Sequence, residues 1–409
     1  MPRAPVIFAL VQFFLLPLSS LAQDPNSLGD IARRQRQGGD QVAHPQVIDT
    51  GGYRTKVPPP ILKPISPFQV FAWLAGGMPS DFLAREIRTR GVTFYADSEF
   101  VENAKKAGAD SDLASELEKA SQTAAQTELG DSEATRNMIQ VAISMKGDEY
   151  RSAQRQIRAM LRADNKNADL YFALGRVHEQ MEEWDSAGAA YAHAVQFAPN
   201  FAYAWGKLSF MYYQQGDAAD ARTSAEAMLR LQPDTGDGFK YLGLSKQLTG
   251  DYEGALDDFH RANIVEPKNG AIYFYDMGLV YAAREQRPTA VAAYERAVAI
   301  GPARSYFYNN LGIALGKINR VDDAVAALEK AKEMDPSQPE PRQSLGAVLC
   351  NAGRSEEAVK EFRKLLDLAP DWNMARPCLS RSLTRLGRRE EAKQVMEDYK
   401  KYSPEHKTW

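Results

Sequence analysis

The groups in this chain that could do chemistry are pairs of adjacent carboxylates, five histidines and two cysteines. The carboxylate pairs are Glu182–Glu183, Asp257–Asp258, Asp322–Asp323, Glu356–Glu357 and Glu390–Glu391. Two close carboxyls are what general acid–base catalysis requires. All but Asp257–Asp258 fall near the start of a second helix of a helix pair, where negative charge complements the helix dipole. His44, His178, His193, His260 and His406 are scattered, and none has a partner at the spacing of a metal motif. Cys350 and Cys378 are too far apart for a Cys-x-x-Cys motif, and the chain has no phosphate loop and no nucleophile elbow. The expectation is no catalytic residue, no metal site and no cofactor. Two alternatives stand beside it: an enzyme with its site in residues 67–128 or in a groove of the helical array, and a mainly structural tethered spacer.

Composition narrows the class of partner. A net charge of -3 over 409 residues, with 25% charged and 44% hydrophobic, is ordinary for a soluble protein. It offers no concentrated basic face for nucleic acid. Residues 1–22 read as a secretory signal: Arg3, an apolar run from Val6 to Leu16, then Ser20-Leu21-Ala22 before the cut. An uncleaved anchor is the other reading of that stretch; after cleavage no transmembrane segment is expected. The protein is thus expected to be exported, and periplasmic, envelope-associated or secreted. Residues 23–66, rich in Pro and Gly without a periodic apolar face, read as a flexible linker. Residues 67–128 read as a small helical module. There FQVFAWLAGG is followed by SDFLAREIRTRG, with Ser80 as a cap, Phe82, Leu83 and Ile87 as a stripe and Gly91 as a stop.

Past residue 130 the prolines set a period. Pro199, Pro233, Pro267, Pro302, Pro336, Pro370 and Pro404 are spaced by 34, 34, 35, 34, 34 and 34 residues. With each Pro at position 32, seven units begin at Ala168, Ala202, Gly236, Ala271, Ser305, Pro339 and Asn373. Position 7 then holds Leu or Met and position 8 holds Gly or Ser. Position 20 is always Ala, and position 24 is mostly large. Two antiparallel helices approach closely only where side chains are small, so position 8 is expected to face position 20, with 7 and 24 filling the flanks. Gly216, Gly250, Gly353 and Gly387 mark the turn at position 15. Cys350 and Cys378 fall on first helices of neighbouring units at different heights, so free or buried thiols are expected rather than a bond between them.

These columns resemble the tetratricopeptide repeat family over residues 134–406: a degenerate unit at 134–167, then seven units at 168–406. The resemblance implies an all-α, right-handed superhelical solenoid of antiparallel helix pairs. Its first helices would line a concave groove for a peptide or partner protein. In that family positions 2, 5, 6, 9, 12 and 13 face the groove. Here those positions include Phe172, Arg176, Tyr203, Lys207, Phe210, Tyr213, Lys240, Tyr241, Tyr275, Asp276, Tyr306, Asn309 and Asn310. The implied function is a non-catalytic interaction scaffold, organising an assembly in the cell envelope. The Lys, Asn and Arg clamp by which some members hold a C-terminal carboxylate is not reproduced. After Pro404 only EHKTW remains, so Leu383, Met396 and Tyr399 are expected to stay partly exposed at an end open to self-association.

Overall fold

One backbone device closes every hairpin of the array. The residue at position 15 adopts the left-handed conformation in all eight units: Gly216, Gly250, Gly353 and Gly387 at φ of 75, 78, 79 and 76°, and Asp148, Glu182, Glu285 and Asn319 at 60, 59, 58 and 65°. Glycine does this at no steric cost, whereas the four other residues adopt a conformation that disfavours a Cβ. The acidic pair at 182–183 is therefore partly a turn: Glu182 is its left-handed residue, and Glu183 accepts a hydrogen bond from the buried His178 ring at 2.5 Å.

The computed structural model describes residues 63–122, 132–301 and 304–402. The signal, most of the linker, Pro302, Pro404 and the EHKTW terminus lie outside the described residues. All regular structure among those described is helical, apart from one isolated bridge between Ile65 and Val92. The helices α1 (Pro67–Ala75), α2 (Ser80–Arg90), α3 (Ser98–Lys106) and α4 (Ser111–Gln122) come first. Sixteen more then alternate as first and second members of the repeats. They are α5 (Glu133–Lys146), α6 (Tyr150–Ala163), α7 (Ala168–Gln180), α8 (Trp184–Phe197), α9 (Ala202–Gln214), α10 (Ala218–Leu231), α11 (Gly236–Leu248), α12 (Tyr252–Val265), α13 (Gly270–Ala283), α14 (Arg287–Ile300), α15 (Ser305–Lys317), α16 (Val321–Met334), α17 (Glu340–Asn351), α18 (Ser355–Leu368), α19 (Ala375–Arg385) and α20 (Arg389–Tyr402). The extra residue between Pro267 and Pro302 is taken up at the head of α13, which starts at Gly270 and runs 14 residues where α7, α9, α11 and α15 run 13; Pro267–Asn269 before it form a 3-10 turn. The described residues divide into two compact units, 63–249 and 250–402. No described helix is long and apolar enough to cross a membrane.

Packing inside the hairpins differs from the expectation in one respect. A Cβ added at Gly175, Gly312 or Gly346 would come within 2.5–2.7 Å of the Tyr191 ring, the Leu328 side chain or the Phe362 ring. Position 8 thus seats the large group of position 24, rather than the alanine of position 20. What position 20 offers is its carbonyl: Ser209 donates to Ala221 O at 2.7 Å and Ser380 to Ala392 O at 3.0 Å. The alanines remain fully or nearly fully buried because that side of the pair has no room for more. Leu383, expected to be partly exposed, is buried, while Met396 and Tyr399 are half-buried.

The acidic starts of the later second helices are held by arginines at position 16. Arg320 pairs with Asp323 (2.6 Å), Arg354 with Glu357 (2.6 Å) and Arg388 with Glu391 (2.5 Å). Arg354 also reaches Asp322 of the preceding unit at 3.0 Å. These exposed pairs contribute little individually.

Candidate binding surface

In the first unit, the first-helix face of the repeats is covered by the chain's own N-terminal helices. Helix α1 opens with a capping box, in which Ser66 accepts from Gln69 N–H and Gln69 from Ser66 N–H, both at 3.2 Å. The same Gln69 side chain donates to Asp169 Oδ2 at 3.2 Å, and Trp73 Nε1 donates to Asp169 Oδ1 at 2.6 Å. Trp73 packs on Phe201 with ring centroids 5.4 Å apart, and Phe82 of α2 packs on Tyr203 at 4.9 Å. Gly76 lies so close to the Phe172 ring that a Cβ there would run into it, and Phe172 has no exposed surface. Ser80 is the first residue of α2 rather than its cap, and its hydroxyl accepts from Asp110 N–H at 3.2 Å. Glu86 of α2 takes a hydrogen bond from Gln232, which lies beyond α10.

Beneath this cover is a buried charge cluster. Glu179 accepts from Arg176 (2.7 Å), from the Tyr191 hydroxyl (2.8 Å) and from Lys207 (3.3 Å). Burial alone would raise its pKa, but the Lys207 and Arg176 cations more than offset this and hold its carboxyl below the usual range. Lys207 moves the other way, pulled down by burial and by sharing one carboxylate with Arg176. Asp169 is raised by burial, against the hydrogen bonds of Trp73 and Gln69. Burial also raises Asp237, yet Lys240 at 2.7 Å, Lys207 and Arg85 bring it below its ordinary value.

The expected groove residues consequently fall into different settings. Phe172 and Tyr203 lie under α1 and α2. Arg176, Lys207 and Lys240 are engaged in ion pairs, with Lys240 also 4.4 Å from the Tyr241 ring centroid. Phe210 and Tyr213 are half-buried and stack at 6.2 Å, and Tyr241 is buried with its ring 6.3 Å from Phe210.

In the second unit, Tyr275 packs against Tyr306 (5.0 Å) and Phe307 (4.6 Å), and its hydroxyl accepts from Asn310 Nδ2 at 2.7 Å. Asn309 is 2% exposed and Gln343, one repeat later at the same position 5, is 6% exposed. Asn309 Oδ1 and Gln343 Oε1 have no hydrogen-bond partner among the described residues. Glu340 at position 2 is 3% exposed, and no other described residue donates to either of its oxygens. Burial raises its carboxyl, opposed by its own backbone N–H. In the first unit, Gln214 and Gln247, at positions 13 and 12, also carry buried amide atoms without partners. Buried polar groups are ordinarily satisfied, so each of these orphaned atoms is an exception within its own unit.

Sequence reasoning passed over Asp169, Glu179, Asp237, Glu340 and Gln343, although the columns that held the expected residues include all of them. It also passed over the cover. The available signal was FQVFAWLA, which is apolar nearly all round, as a helix covered on both sides must be.

Residues 145–200 and 275–339 match the sequence profile of the Tetratricopeptide repeat family. A solved tetratricopeptide repeat protein from Parabacteroides merdae superimposes with a TM-score of 0.50 at 14% identity, covering 61% of this chain and 95% of that one. YrrB, a solved tetratricopeptide repeat protein described as having an unusual peptide-binding site, aligns with a TM-score of 0.40 at 21% identity, over 46% of this chain and 95% of its own. The BBSome complex member bbs-4 of Caenorhabditis elegans is 24% identical over 148 residues, 36% of this chain. The chain spans about a third (32%) of the length of that curated relative. The profile marks tetratricopeptide-like repeats over those two stretches, and the Parabacteroides structure shows the all-α solenoid fold.

Proposed function

We propose that the protein is a non-catalytic interaction scaffold that takes a peptide segment of a partner protein on the first-helix face of its second unit. The single observation carrying this reading is the pair of buried amide oxygens, Asn309 Oδ1 and Gln343 Oε1, repeated at one register position and left without donors. A peptide backbone presents N–H groups along its length, and Lys or Arg side chains add more, so an extended donor-rich segment suits these oxygens and Glu340. Tyr306, half-buried beside them, supplies an aromatic edge. The equivalent face of the first unit is less suited to a partner, because α1 and α2 already cover Phe172 and Tyr203.

The test is an immobilised peptide library probed with the purified chain. Binding is expected to favour basic segments and to fall at least tenfold in the Asn309→Leu/Gln343→Leu double variant while its helicity is kept. Undiminished binding in that variant refutes the site. A role in an envelope or extracytoplasmic assembly is part of the proposal and rests on the charged, apolar and small-residue order of residues 1–22. A reporter enzyme active only outside the cytoplasm, fused after residue 66, should gain activity if those residues direct export; silence of the fusion counts against it.

A further inference from the structure

The two cysteines, expected at different heights, are brought together by the structure under one guanidinium. Arg381 Nε lies 3.3 Å from Cys350 Sγ and Arg381 Nη2 lies 3.3 Å from Cys378 Sγ. Cys350 Sγ donates to the Cys378 carbonyl at 3.4 Å. The guanidinium is steadied by Asn351 Oδ1 at 3.0 Å, and Arg385 ties α19 to α17 through the Cys350 carbonyl at 2.5 Å. Cys350 is buried and Cys378 is half-buried, and no bond joins them. Cys378, then Ser382 and the Arg381 side chain, bring the Cys350 thiol down to about 5 against its burial, while Cys378, which gives its hydrogen bond to Cys350, moves up. The pair therefore shares one proton and one negative charge beneath a fixed cation, the setting in which a cysteine is chemically active.

We propose that Cys350 and Cys378 are a redox-active dithiol that a low-molecular-weight disulfide converts to an intrachain disulfide, with Cys378 as the entering sulfur, Cys350 as the resolving sulfur and Arg381 as a positioning residue. As the more exposed Cys378 meets the external disulfide, its proton passes along their hydrogen bond to the Cys350 thiolate, and the Cys378 thiolate so formed attacks. A bond forms from Cys378 Sγ to one external sulfur, and the other leaves as a thiolate that takes a proton from solvent. Cys350 then releases its proton to solvent, and its thiolate, held by Arg381, attacks Cys378 Sγ. The mixed disulfide breaks, the second small thiolate departs and is protonated, and the intrachain bond remains. Two electrons leave the cysteine pair and reduce one external disulfide to two thiols. The product bond links the first helices of the last two repeats. It rests on three side chains and is independent of the peptide reading above.

The full chain is incubated with oxidised glutathione, quenched by alkylation and mapped by mass spectrometry. Wild type is expected to lose both thiols together, giving a linked Cys350–Cys378 peptide with no accumulating glutathione adduct. Cys350→Ser should trap a stable adduct on Cys378, and Cys378→Ser should leave Cys350 unreacted while the chain is folded. Arg381→Gln should slow closure at least tenfold, with Arg381→Lys restoring part of it. Three results would each overturn the proposal: closure only after denaturation, a stable wild-type adduct without the intrachain bond, or reaction of Cys350 in Cys378→Ser at the wild-type rate.

Discussion

At position 2 of its repeat, Asp169 takes hydrogen bonds from Trp73 and Gln69; Glu340, at the same position in the second unit, takes none from another described residue. Both carboxyls are raised by burial, so the two faces begin from the same physical difficulty. They differ in where relief comes from. In the first unit it comes from helices nearly a hundred residues upstream, which also seal Phe172 and Tyr203. In the second, the register has gathered Asn309, Glu340 and Gln343 into a protected row and left their acceptors open. The repeat sets which positions share a face, and segments outside the repeat decide whether its buried acids are answered.

The contrast can be broken most severely at Trp73. Trp73→Ala removes a buried ring and strips Asp169 of its shorter hydrogen bond, and should lower stability in denaturant unfolding by about 3–5 kcal/mol. Tyr306→Ala, in the second unit, should cost far less because its ring is already half-exposed. Equal losses would mean that the first face is not sealed by α1. Overpacking the shared scaffold should affect the units alike: Ala187→Leu and Ala324→Leu are each expected to cost roughly 1–3 kcal/mol in the same measurement. A cost in only one of them would show that the two units do not share one packing register.

Glu340→Gln sharpens the comparison by pH. A carboxyl raised on folding favours the folded state fully below its unfolded pKa and loses that contribution as pH rises through the folded value. Once the pH is high enough to charge the buried Glu340 it is a burden, and glutamine should then raise stability by about 1 kcal/mol. The gain should shrink toward zero as pH drops below the ordinary glutamate range; a gain that grows in acid would contradict the assignment. The smallest effects belong to the turns. Glu182→Gly and Glu285→Gly should each raise the melting temperature slightly, by roughly 0.5–1 kcal/mol of stability, because glycine accepts the left-handed backbone without strain.

Much of the array was legible in the letters. Pro at 32, Gly at 15 and the small residues at 8 and 20 each answer to a local demand of a helix pair, and each recurs often enough to fix the register. The partner of position 8 was misjudged, because column spacing does not distinguish a neighbouring alanine from the large side chain one turn further along, and so was Leu383, which proves buried. The site was less legible. That Phe172 is sealed depends on Gly76 and Trp73, which lie outside the repeat and leave no mark on its columns. Glu179 reads as an ordinary surface glutamate until Lys207 and Arg176 are placed beside it. Cys350 and Cys378 meet because adjacent first helices bring positions 12 and 6 to one arginine, which a linear register cannot show.

The hydrogen bond between Glu86 and Gln232 joins residues 146 positions apart. During synthesis at about 5–20 residues per second, α2 therefore emerges some ~7–30 seconds before this anchor exists. Until Phe201 and Tyr203 are made, Trp73 and Phe82 lack the rings they pack on, while each downstream hairpin can close as soon as its own two helices are made. The nascent chain thus leaves these two rings uncovered until the first helix of the third hairpin, Ala202–Gln214, has begun to emerge.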